Sequence, residues 1–149
     1  MFGLPDFAGY LIAGAIGAYG ISVCRWFAEK YIKDFPDIPL LLGRIIDWGK
    51  PEPKKIARVM GRALHLGTGA LWGFIFGKLV ENGIFFSNFG LLEGILFSIL
   101  PWVFFMVVLM PLAKGGIFGI KIGRFQWLIA LGMHIVFGSI LGLFLQAFL

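Results

Sequence analysis

Residues 56–80 read IARVMGRALHLGTGALWGFIFGKLV, and this stretch decides the fold. It is as long and apolar as a membrane-crossing helix must be, since a bilayer core requires roughly 20 such residues. Within it Gly61, His65, Gly69, Gly73 and Gly77 recur at every fourth position. A four-residue step on a helix returns to nearly the same face, so His65 lies in a stripe of glycine. The same text recurs as Ala130-x3-His134-x3-Gly138-x3-Gly142. His65 and His134 are the only histidines, and an ionisable residue inside a span marks a functional-site candidate.

Three further stretches are long and apolar enough to span. The four are expected at about 7–27, 56–80, 89–113 and 125–149, within one polytopic domain covering 1–149. Hydrophobic residues make up 59% of the chain and charged residues 14%, against about 25% charged in soluble domains. The polar residues are too few to cover a soluble surface, which excludes a water-soluble helical protein. The fold class expected is an all-α membrane protein, four transmembrane helices in an up-down-up-down bundle.

Charge gives an orientation. Arg25, Lys30, Lys33, Arg44, Lys50, Lys54, Lys55 and Arg58 lie in or beside the first connection, and Lys114, Lys121 and Arg124 in the third. The second connection carries only Lys78. The positive-inside bias places connections one and three in the cytoplasm and both termini outside. The net charge of +5 is then a topology signal whose partner is the lipid bilayer with its anionic headgroups, and no nucleic acid is implied. The opening Met-Phe-Gly-Leu-Pro-Asp lacks the basic region of a secretory signal, so the first helix is expected to be retained. Cys24 is alone, which leaves no intramolecular disulfide and no cysteine metal site.

The first span carries Gly9, Ala13 and Gly17 on one face, with Gly14 and Ala18 beside them, a pattern that brings helix backbones close. The long first connection is broken by Pro36, Pro39, Pro51 and Pro53. Between them Leu40 to Trp48 places apolar and charged residues at helical spacing, an amphipathic segment suited to the membrane interface or to a partner subunit. In the third span Pro101 leaves the carbonyl of Phe97 without its helical donor, which predicts a kink that Ser98 could relieve. The shared His-x3-Gly-x3-Gly of spans two and four suggests two hairpins of related design, although spans one and three match poorly.

Helices two and four of such a bundle run the same way. Each histidine stands nine residues into its expected span, so both reach one layer about 14 Å deep. Bundle cores build cofactor sites from side chains on facing helices. Two axial imidazoles and small-residue walls suit a b-type haem: His65 and His134 as iron ligands, Gly61, Gly69, Gly73, Gly138 and Gly142 as walls, and Arg62 as a propionate partner. Packing with hydrogen-bonded histidines is the competing reading, because glycines that close helices together leave no room for a macrocycle. Chlorophyll, a quinone pocket and copper are weaker alternatives. Glu93, the one acid within a span, lies roughly 14 Å from the histidine layer, so Lys78 is its expected partner. No nucleophile–base pair, carboxylate cluster or phosphate loop occurs; Gly115 to Gly119 lacks the strand context such a loop needs.

The run Pro101-Trp102, Met110-Pro111-Leu112-Ala113, Gly116-Ile117-Phe118-Gly119 and His134-x3-Gly138-x3-Gly142, preceded by His65-x3-Gly69, resembles a family of small bacterial and archaeal four-helix membrane proteins. The resemblance spans about half the chain. It implies the four-span architecture and a prokaryotic cytoplasmic membrane, and brings no activity with it. Two functions therefore stand as expectations: a small membrane subunit of a respiratory or photosynthetic redox assembly carrying one haem b, or a non-catalytic accessory subunit of a larger membrane complex.

Overall fold

A computed structural model of the chain describes residues 6–32, 35–46 and 53–148, and among these every regular element is helical. Four helices are long and apolar enough to cross a membrane: Asp6–Tyr31, Lys54–Glu81, Leu91–Leu112 and Gln126–Phe148. The expected spans hold to within a few residues, the second extended at both ends and the first by a further turn. Leu71, Leu92, Leu100 and Leu128 are each half or more exposed, so the outer shell is apolar along its length. Such a surface suits lipid rather than water.

The spans pair by glycine sockets. Gly14 of the first span sits between Gly69 and Gly73 of the second, where an added Cβ would lie against the Gly69 carbonyl oxygen and 2.8 Å from the Gly73 Cα. Gly94 of the third span sits in the same way between Gly138 and Gly142 of the fourth, with the Gly138 carbonyl oxygen and the Gly142 Cα, at 2.9 Å, in the equivalent places. In both hairpins the socket begins four residues after a histidine. The repeat suggested by the sequence is thus matched in packing, and its counterpart in spans one and three is a single glycine rather than a stripe.

The two hairpins make their close backbone contacts along one seam. The first span packs on the fourth, with Gly17 against the Phe137 ring and Gly20 against Ile140. The second and third spans make no comparable backbone approach. Aromatic rings fill part of the space between them: Trp72 lies 6.0 Å from Phe97 and 5.8 Å from Phe104, and Phe76 lies 4.8 Å from Phe97 between ring centroids. Trp72, Phe76 and Phe97 join Tyr10, Phe137, Leu141 and Leu145 in the main core.

The amphipathic segment forms a short helix, Ile38–Ile45, which docks on the second span of its own chain. Its Gly43 faces Ala57, and Gly61 of the second span faces Pro39. Asp37 fixes both ends of this contact, accepting from the Leu40 amide at 3.1 Å and from Arg58 Nε at 2.6 Å. Asp47 and Trp48 of the expected segment lie outside the described residues.

The helical pattern of the third span is interrupted just before Pro101, and the irregularity extends further than the proline. A turn at Ser98 breaks the helix, and residues Phe105–Leu109 form a π-helical turn. Ser98 Oγ donates to the carbonyl of Ile95 at 2.7 Å rather than acting at Phe97. Lys78 pairs with Glu81, one turn away, at 2.6 Å, in place of the Glu93 that the sequence suggests.

Candidate functional site

His65 and His134 line one cavity of about 90 Å³, which continues into an open groove between the hairpins. It lies toward the basic end of the bundle, where the second and third spans approach through side chains rather than backbone. Trp72, Phe104, Phe105 and Phe137 wall it, and Ile38, Pro39 and Leu42 of the docked helix close its floor. The π-helical turn contributes Phe105 and Leu109, and the Phe105 ring stands 5.7 Å from the imidazole of His134. Such turns concentrate at functional sites because the extra residue re-aims its neighbours.

Each imidazole is anchored by a backbone carbonyl. His65 Nε2 donates to Ala18 O of the first span at 3.1 Å, and His134 Nδ1 donates to Ala130 O of its own helix at 2.8 Å. A carbonyl only accepts, so in the neutral rings the bonded nitrogen carries the proton and the other carries a lone pair. His65 Nδ1 and His134 Nε2 are therefore acceptors. Among the described residues no buried side-chain nitrogen or oxygen lacks a partner, so these two atoms reach open space. Thr68 Oγ1 spends its hydrogen on the carbonyls of Leu64 and His65, both at 2.9 Å, and adds a further acceptor to the lining.

The other expected site residues divide. Gly69 and Arg62 line the cavity, with Arg62 exposed at its basic edge. Gly73, Gly138 and Gly142 do not line it: a Cβ on any of them would strike the backbone of the partner helix. The flat walls expected of them are spent on the hairpin sockets. Four-residue spacing places a glycine on the histidine's face of its own helix, yet that face is broad enough to meet two neighbours.

Sequence reasoning missed Gln126. It is 5% exposed as a residue and lines the cavity; its carboxamide has no hydrogen-bond partner among the described residues and so, like the two ring nitrogens, reaches open space. Its stem packs against Gly119, where a Cβ would come within 2.7 Å of the Gln126 Cγ. A polar residue at the first position of a span is ordinary, so nothing in the sequence distinguishes it. No group of three or more metal-ligating side chains occurs among the described residues.

Comparisons with protein families, with curated proteins and with solved structures find no match to this chain.

Proposed function

We propose that this chain is a four-span membrane protein, with its basic end in the cytoplasm, that holds a small amphipathic molecule between its two hairpins. The observation that carries the reading is the meeting of His65 and His134 in one cavity although they come from separate hairpins. Aromatic walls with a few convergent polar groups are the usual make-up of a small-molecule site. Burying ionisable side chains in lipid is costly, and packing alone gives no reason for two histidines, each with an unpaired ring nitrogen, to line one cavity. A role as a small subunit of a redox assembly follows where the occupant is redox-active.

A b-type haem is a second reading, favoured by one feature. Metal-bound histidines as a rule donate their other ring N–H to a carbonyl or carboxylate, as His134 does to Ala130 and His65 to Ala18. Size and walls count against it. A cavity of about 90 Å³ offers room for several waters or little more than one ring, and the glycines meant to flank a macrocycle face other helices. Haem would require the second and third spans to part.

The test is to purify the protein in mild detergent, record absorption with and without dithionite, and identify solvent-extracted small molecules by mass spectrometry. A stoichiometric ring compound without a haem band is expected, lost on His65→Ala or His134→Ala. A reduced b-type band lost in those variants establishes haem instead. A colourless folded protein with nothing bound leaves the bundle an accessory subunit whose histidines only pack.

A further inference from the structure

Resting on that reading, the polarity of the lining points to the chemical class of the occupant: we infer that the cavity selects a ring bearing hydroxyl donors, a quinol or phenol, over the corresponding quinone. The polar groups at the histidine level share one character, while the donors of the lining, Arg25 and Arg62, stand toward the basic end of the bundle, Arg62 one turn from His65. His65 and His134 have each given their single N–H to a carbonyl, and Thr68 has given its hydrogen to Leu64 and His65. What these three present to the cavity is lone pairs.

A quinone offers only acceptor oxygens, so lone pair would face lone pair. A quinol offers an O–H on each side of a planar ring, and Phe105 and Trp72 give that ring aromatic walls. Leaving a buried acceptor unmade costs more than an average hydrogen bond gains, so the preference between the two forms is strong. One ring is near the limit of the enclosed volume, and any apolar tail would leave through the cavity's open side. Gln126 stands eight residues from His134, about 12 Å along the helix, and its unpaired amide meets a polar substituent at the mouth rather than the same hydroxyls.

Purified full-length protein in detergent, stripped of extractable material, is titrated anaerobically by calorimetry with a short-chain benzoquinol. Its quinone and its dimethyl ether, which keeps the shape without donors, are run in parallel. The quinol is expected to bind at least tenfold more tightly than either. For a two-electron couple this raises the midpoint potential of the bound pair by about 30 mV. His65→Phe and His134→Phe, checked for folding by circular dichroism, should bring the three affinities together. The wild-type comparison needs no variant. Equal or tighter binding of the quinone, or of the ether, overturns the donor rule while leaving a binding protein. No saturable binding of any probe also overturns it. The broader reading then stands only if the unstripped protein carries a ring compound of another class.

Discussion

Replacing Gly94 by alanine adds one methyl group at the point where the third span crosses the fourth. The new Cβ would rest against the Gly138 carbonyl oxygen and lie 2.9 Å from both the Cα and the amide nitrogen of Gly142. Carbon atoms are most comfortable at about 3.5–4.0 Å, so the overlap with the Gly142 Cα alone is roughly 0.6 Å or more. Every obstructing atom is backbone, and no side chain can swing aside. The helices must separate, at an overpacking cost of about 1–3 kcal/mol. Gly132 on the fourth span is the control, since an added Cβ there meets nothing within 4 Å. Alanine in a helix interior is about 1 kcal/mol better than glycine, so Gly132→Ala should stabilise. That propensity gain is common to both variants, and the difference between them isolates the overlap at about 1–3 kcal/mol, toward the upper end because the oxygen contact is closest. Reversible unfolding in mixed dodecylsulfate and maltoside micelles, followed by circular dichroism, measures both. Equal shifts in stability, or a more stable Gly94→Ala, would refute close backbone packing at this crossing.

Gly14→Ala probes the equivalent socket in the first hairpin and should lose stability by a similar amount in the same assay. Gln126→Met removes a carboxamide that makes no hydrogen bond among the described residues and is not sealed from open space, so the unliganded protein should lose no stability in thermal or detergent unfolding, whereas a destabilised variant would reveal a hydrogen bond at that amide. Asp37→Ala takes away the cap of the short docked helix and the acceptor for Arg58 at once; a loss of about 1 kcal/mol is expected, read as faster amide exchange confined to residues 38–45. In a Cys24→Ser background, a membrane-impermeant maleimide added to intact cells should label cysteine at Asn82 and spare cysteine at Lys114, and the reverse pattern would invert the topology.

The four spans are legible in the sequence because lipid solubility writes itself into composition, and long apolar runs between charged clusters suit little except a bilayer. The histidine layer is legible too, since the fixed rise of a helix converts residue number into depth. Rotation is not. Hydrophobic periodicity is weak where both the core and the exterior are apolar, so nothing in the run from Ala130 to Gly142 shows that the histidine looks toward the third and second spans while Gly138 and Gly142 look toward Gly94. Reading the glycines as cofactor walls assumes that one stripe serves one neighbour. Pro101 marks a break by its chemistry alone, but the π-helical turn beyond it depends on how the third span settles against the fourth, which is tertiary information. Gln126 stays hidden for a different reason. Its position at a span boundary is where water is expected, and only the packing of its stem against Gly119 and its place in the cavity lining set it apart.

The glycine sockets also bear on how the chain is assembled during synthesis. All the residues of the first socket, at Gly14, Gly69 and Gly73, are synthesised before the third span begins at Leu91. Spans in lipid associate as preformed helices, by close packing rather than by expulsion of water. The leading pair can therefore insert and lock as a finished hairpin, and the trailing pair can do the same with Gly94, Gly138 and Gly142. Only the seam of Gly17 and Gly20 against Phe137 and Ile140 has to wait for both. Biogenesis then reduces to two local zippering events and one docking of prefabricated halves. A lesion in either socket should trap a half-built protein for the cell's membrane proteases, whereas a lesion at the histidines should leave assembly intact.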